Sequence, residues 1–249
     1  LEYTLDAHKN MKSGGPAGGF WRVNDESLEK MKEWQRLYGS TVKNSDPVLY
    51  GRDWIFENGE KYGYRIYDPV EAMIKNSAFS QNHNLSLNGR RNDTSYNLSI
   101  GYLGQEGMMK PANHDDYKRF TGNINVSTKV ADFITIRGGA RYSDATKRYP
   151  NSSSAWAFAA DPWLYLYRWS RLFPIATTEH GQQIHDPYWD TKNTNDVIKR
   201  DRYINLTAGT TIDITSNWNI EADYAYTSEM KPFTMSLPVA TALEHWYAP

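Results

Sequence analysis

The sequence predicts an all-β protein, an antiparallel meander that forms part of a transmembrane β-barrel. Three observations predict it. Apolar and polar side chains alternate along seven stretches. The polar side of those stretches is rich in Asn, Ser and Thr, and the apolar side ends in tyrosine. Long and short connections alternate between them. A period of two puts successive side chains on opposite faces of a strand. An apolar face closed by aromatic rings and a polar opposite face suit a wall with lipid outside and water inside.

The stretches run in order. Residues 1–8 alternate Leu1, Tyr3, Leu5 and Ala7 with Glu2, Thr4, Asp6 and His8. Residues 82–89 set Leu85 and Leu87 between Asn84, Ser86 and Asn88. Residues 94–103 oppose Tyr96, Leu98, Ile100 and Tyr102 to Ser95, Asn97 and Ser99. Residues 118–128 oppose Phe120, Ile124 and Val126 to Thr121, Asn123 and Asn125. Residues 132–143 oppose Ile134, Ile136, Ala140 and Tyr142 to Thr135, Arg137 and Arg141. Residues 202–214 and 218–228 alternate likewise, the last with Ile220, Tyr224 and Tyr226 against Glu221 and Asp223. Most of these reach the roughly 9–11 residues of a tilted membrane strand.

Between them, residues 90–93, 129–131 and 215–217 are short turns, and 9–81, 104–117 and 144–201 are long connections. Outer-membrane barrels show this asymmetry, with short periplasmic turns and long extracellular loops. The turns predict register. Val126 faces Ile134, Ile124 faces Ile136 and Asn123 faces Arg137; Asp213 faces Asn219 and Thr211 faces Glu221. Asn97, Asn123, Arg137, Arg141, Glu221 and Asp223 then face the lumen. Tyr102, Phe120, Tyr142 and Tyr226 form the outer aromatic girdle.

The first long connection carries a helix. Asn24 or Asp25 caps it, Leu28, Met31 and Leu37 share one side, and Gly39 stops it.

Composition narrows the function. Lys+Arg number 28 and Asp+Glu 29, a balance of −1 that gives nucleic acid no purchase. There is no cysteine, so disulfides and thiolate metal sites are excluded. Mean hydropathy is −0.73, and no run approaches the roughly 20 apolar residues of a membrane helix. A barrel stays open, because its strands show lipid only every second residue.

Catalysis finds no support. No nucleophile elbow, zinc-protease helix or phosphate-cradling glycine loop occurs, and the expectation is that the chain is not an enzyme. Glu221 and Asp223 share a strand face and could seat an acid and a base of a glycosidase, but a wet lumen accounts for them. His114, Asp115 and Asp116 adjoin, and His180 and His185 lie five apart. Neither spacing matches a zinc or calcium signature, so no metal and no cofactor are expected. The 144–201 connection is dense in rings. Trp156, Trp163, Trp169 and Trp189, with Arg168 among them, are candidate ligand contacts, since flat faces stack on sugar rings or peptide side chains. The competing reading is that these rings are the loop's own core.

The run His83-Asn84-Leu85-Ser86-Leu87-Asn88-Gly89, then Tyr96 to Gly107 with Leu98-Ser99-Ile100-Gly101-Tyr102 and Gln105-Glu106-Gly107, then Tyr117-Lys118-Arg119-Phe120, resembles the early barrel of SusC/RagA-type TonB-dependent outer-membrane transporters. The resemblance implies a large barrel, of about 22 strands in such transporters, filled by a plug domain. It implies a SusD-like surface lipoprotein as partner, energy from the TonB complex, and import of oligosaccharide or peptide across the outer membrane. On this reading residues 1–249 are an N-terminal portion of the barrel, without the plug and the remaining strands. The alternative is a soluble carbohydrate-binding β-sandwich, in which the apolar faces meet in a core.

Overall fold

A computed structural model describes residues 2–11, 17–18, 21–151, 166, 171–175, 177–182, 184 and 186–235. Its elements in chain order are α1 (Glu2–Asn10), β1 (Ala17–Gly18), β2 (Trp21–Val23), α2 (Asp25–Tyr38), β3 (Trp54–Glu57), β4 (Glu60–Gly63), α3 (Pro69–Met73), β5 (Ser80–Arg91), β6 (Thr94–Glu106), β7 (Asp116–Ala131), β8 (Ile134–Pro150), α4 (Pro187–Asn193), β9 (Asp196–Thr215), β10 (Trp218–Met230) and β11 (Phe233–Met235).

The described strands β5 to β10 form one antiparallel meander in which each pairs with its chain neighbour, and β11 joins the far end of β9. The sheet is open: β5 is one edge and β10 the other. Residues 92–93, 132–133 and 216–217 turn the chain at one end, and 107–115 and 151–195 connect strands at the other. Asn92 takes the left-handed conformation (φ 52°) in its two-residue turn, as tight hairpins require.

The buried residues concentrate away from this sheet. Long connections at its loop end fold into a cap. Leu5, Trp21, Val23, Met31, Leu172 and Phe173 make one core, with Leu28 and Trp54 packed on it. Val48, Tyr67, Ile175 and Ile184 make a second beside it. Trp21 meets Trp54 edge-on at 5.4 Å and Phe173 at 6.5 Å. The cap is therefore built from both long connections, which answers the loop-core reading for the part of 144–201 that is described.

Helix α2 begins as expected. Asn24 Oδ1 accepts from the Ser27 N–H at 2.7 Å and the Asn24 N–H donates to Ser27 Oγ at 2.8 Å, a reciprocal cap. Its buried side is Ser27, Met31 and Trp34 rather than the predicted stripe ending at Leu37, which is 47% exposed. Leu37 follows Leu28 by nine residues, half a turn round at 100° per residue.

Two expectations are corrected. Residues 1–8 were expected as a strand; Glu2–Asn10 is helix α1. Helical steps separate Tyr3 (85% exposed) from Leu5 (5% exposed), which a strand would have placed on one face. Glu2 in the first turn and His8 and Lys9 in the last suit the helix dipole. The second correction is the β7–β8 register. Asn123 pairs with Arg141, Ile124 with Ala140 and Val126 with Gly138, four residues from the expected partners. Strand β7 runs on to Ala131 and the turn is at 132–133. The β9–β10 register is as expected, Asp213 opposite Asn219 and Thr211 opposite Glu221.

Candidate functional site

Register partners in an antiparallel sheet project to the same side. One face of the meander thus carries Leu85 and Leu87; Tyr96, Leu98, Ile100 and Tyr102; Phe120, Ile124 and Val126; Ile136, Ala140 and Tyr142; Ile204 and Leu206; and Ile220, Tyr224 and Tyr226. These large apolar side chains are exposed: Leu85 at 67%, Ile100 at 57%, Tyr224 at 69%. A contiguous apolar surface of this extent marks a contact with lipid or another apolar body.

The other face is amide, hydroxyl and charge. Asn97, Asn123, Arg137, Arg141, Glu221 and Asp223 all lie on it by register. Asn123 Nδ2 donates to Asn97 Oδ1 at 3.2 Å. Arg137 Nη1 donates to Thr211 Oγ1 at 2.8 Å and Nη2 to Asp223 Oδ1 at 3.0 Å, with Glu221 at 4.0 Å. One cation therefore lies between the two carboxylates that the sequence weighed as an acid–base pair.

A rung pattern recurs on this face. Gly101 stands between Asn84 and Thr121, Gly139 between Asn125 and Thr207, and Gly209 between Arg137 and Asp223. A Cβ at Gly139 would lie 2.6 Å from both Asn125 Oδ1 and Thr207 Oγ1. The bare central strand lets polar groups of its two neighbours close over it.

The aromatic residues at the loop end follow a slanted line. Tyr102 pairs with Phe120, their rings 4.8 Å apart, and His83 stacks on Tyr102. That rung continues through Asp144 and Arg202 to Met230. Tyr142 lies two residues inside it and Tyr226 four, a drop of four residues from β6 to β10. With about 4.8 Å between strands and 3.4 Å per residue, one residue per strand is a slant of about 35°.

Beyond this line the apolar face becomes ionic. Asp116 and Lys118, Asp144 and Arg148, and Arg200 and Arg202 project there from β7, β8 and β9. The sequence reading missed this band, although its signal was present: charged residues keep the parity of the apolar face past its last tyrosine.

Of the candidate ligand contacts, Trp156, Trp163, Arg168 and Trp169 lie outside the described residues. Trp189 is half-buried in α4, and its N–H donates to Asp186 Oδ1 at 2.7 Å. The histidines do not gather: His114 Nδ1 meets Asp196 Oδ2 at 2.6 Å, His180 lies 3.7 Å from Glu179, and His185 is outside the described residues. Among the described residues no group of three His, Asp or Glu is placed to hold a metal.

Known proteins match this arrangement. Over 127 residues the chain is 27% identical to the TonB-dependent receptor SusC of Bacteroides thetaiotaomicron. The chain is SusC-like. The aligned part is 50% of this chain and 12% of that receptor. The structure of the RagAB peptide importer in its closed-closed state superposes with a TM-score of 0.51 and 16% identity, over 90% of this chain and 24% of the matched one. This SusC-like chain thus spans about an eighth and a quarter of the two relatives, and shares with the second a mostly β antiparallel meander. The resemblance read from residues 83–120 is borne out. Both relatives carry the names of uptake proteins, a receptor and an importer, not of enzymes. No family model matches the chain.

Proposed function

We propose that this chain is a segment of the barrel wall of a TonB-dependent outer-membrane importer, its apolar face against lipid and its polar face toward the lumen. The observation that carries the proposal is the two-faced meander: six consecutive strands keep one apolar and one polar side in unbroken register. A soluble sheet leaves one apolar face bare only at great cost, at about 25 cal/mol per Å² of exposed apolar area. Three further features support it. Short and long connections alternate. Tyr102, Phe120, Tyr142 and Tyr226 form the girdle at the loop end, and their 35° slant is the offset that a membrane level makes across strands tilted by roughly 35–45°. The cap lies at the same end, which is the extracellular one on this reading.

The complete importer takes up glycans or oligopeptides with a SusD-like surface lipoprotein and is driven by the TonB complex. That assignment rests on the likeness to SusC and to the RagAB importer. Trp156, Trp163, Arg168, Trp169 and Trp189 are the proposed substrate contacts of the long connection. The carbohydrate-binding sandwich is disfavoured by the exposure of the leucines and isoleucines that would form its core.

Cysteines placed singly at Leu98, Ile100, Ile136 and Ala140, and at Asn97, Ser99, Thr135 and Arg137, test the proposal in the full-length protein in membranes. Water-soluble thiol reagents should label the second set and spare the first. Equal labelling of both sets would overturn it.

A further inference from the structure

The ionic band beyond the girdle has a composition that a merely solvated rim does not need. Four cations, Lys118, Arg148, Arg200 and Arg202, share two carboxylates, Asp116 and Asp144, leaving two positive charges on three adjacent strands. The carboxylates are the recessed partners. Their side chains are 15% and 13% exposed, against 50% for Lys118 and 42% for Arg200. Arg200 Nε and Nη2 donate to Asp144 at 2.8 and 2.5 Å, and Arg202 Nε lies 3.4 Å from the same group. Arg148 grips Asp116 through Nε at 2.9 Å and Nη2 at 3.2 Å. Each guanidinium is anchored by one edge, so its other N–H donors point away from the carboxylate that orients it. Thr146, the register partner of both Lys118 and Arg200, puts a hydroxyl at the centre of the patch.

The geometry points to a binding site for the phosphate-bearing headgroup of an outer-leaflet lipid. The patch lies on the same face as the apolar belt. Lys118 is two residues past Phe120, and Asp144 two past Tyr142, which is about 7 Å along a strand. A lipid whose chains lie on Leu98, Ile124 and Leu206 brings its headgroup to this level. Oriented guanidinium forks match phosphate oxygens, and the recessed carboxylates keep the cations from collapsing onto the sheet. The inference rests on the barrel reading above, because only there does this face meet lipid.

The test uses the full-length protein in phosphatidylcholine vesicles doped with phosphatidylglycerol, with a fluorophore on Ile204→Cys just inside the patch. Brominated phosphatidylcholine and brominated phosphatidylglycerol are compared as quenchers. Quenching by both, with phosphatidylglycerol favoured, is expected. The preference should fall about fivefold for each cation removed in Lys118→Gln and Arg200→Gln, rise by a similar factor in Thr146→Lys, and shrink in high salt. Equal quenching by both lipids, unchanged in these variants, overturns the headgroup site and leaves the barrel reading standing. Quenching by neither overturns both.

Discussion

Arg137 and Asp223 belong to strands that do not pair, and yet their side chains meet at 3.0 Å, across Gly209 of the strand between them. The contact depends on what Gly209 lacks. A Cβ there would fall 2.1 Å from Asp223 Oδ1 and 3.3 Å from Arg137 Nε. The ion pair is exposed, so breaking it alone costs little, within about 1 kcal/mol. Gly209→Ala should cost more, about 1–3 kcal/mol, because the methyl forces the carboxylate and its strand aside. Adding Asp223→Ala should recover most of that loss. Hydrogen exchange of the β10 amides checks it. If Gly209→Ala is neutral, or Asp223→Ala fails to rescue it, the glycine is not making room for the pair.

Lys61 gives the cap a pH dependence. It is buried, with Nζ 5.8 Å from the Trp21 ring and 5.5 Å from the Trp54 ring, and burial pushes its ammonium down to about 8. The unfolded chain holds that proton up to about 10.4. Below pH 8 the folded cap carries the whole desolvation penalty, and between about 8 and 10.4 the penalty is relieved as the folded state sheds its proton first. Cap stability should therefore rise across that window, by at most about 3 kcal/mol. Lys61→Met should abolish the rise. Limited proteolysis of cap peptides as a function of pH distinguishes the two proteins, and parallel curves for both would refute the assignment.

Asp53 is the cap's polar keystone. Its side chain is fully buried and accepts from Trp34 Nε1 at 2.9 Å, the Leu49 N–H at 2.9 Å and Arg52 Nε at 2.7 Å, with buried Arg65 at 3.3 Å. Burial pushes its pKa up, and these donors overcome that and hold it below the usual carboxylate value. Its contribution is present at neutral pH and is lost as pH falls through that lowered value. Asp53→Ala should cost about 3–5 kcal/mol, since it strips a buried guanidinium of its counter-charge. The damage should stay in the cap. Loss of exchange protection at the amides of 53–65, with the meander amides unchanged, is the expected pattern. Equal loss in both would show that cap and sheet unfold together.

The faces of the meander were legible in the sequence because alternation is local. Each residue's side follows from parity alone, and Asn97, Arg137 and Asp223 could be assigned without knowing their partners. Partners depend on where the chain turns. At 92–93 an Asn marks the turn, and at 216–217 another does. At 132–133 the chain reads Ala-Asp-Phe-Ile with no Gly or Asn, and nothing local marks the reversal. The cap was hidden for a different reason. Its core joins Leu5, Trp21 and Met31 to Leu172 and Phe173, well over a hundred residues away. No period reports such a contact, and short apolar stretches such as residues 1–8 serve a helix as well as a strand until something packs on them. The ionic band was legible and went unread, because Asp and Arg at alternate positions look like ordinary solvated charge.

The β7–β8 register invites a direct test because the two candidate registers differ by four residues and share the same faces. A scan of facing can never separate them; only partner identity does. Asn123 pairs with Arg141 in the structure, whereas the turn read from sequence pairs it with Arg137. Register partners have Cα atoms about 4.5–5.5 Å apart, within disulfide range, while a four-residue offset adds about 13 Å along the strand and puts the bond out of reach. The protein has no cysteine of its own to interfere. Asn123→Cys with Arg141→Cys should therefore crosslink under mild oxidation, and Asn123→Cys with Arg137→Cys should remain reduced. The reverse result would move the turn back to residues 129–131. It would also break the Arg141–Asn205 and Arg137–Gly209 rungs on the neighbouring strand, or require β9 to slide with β8.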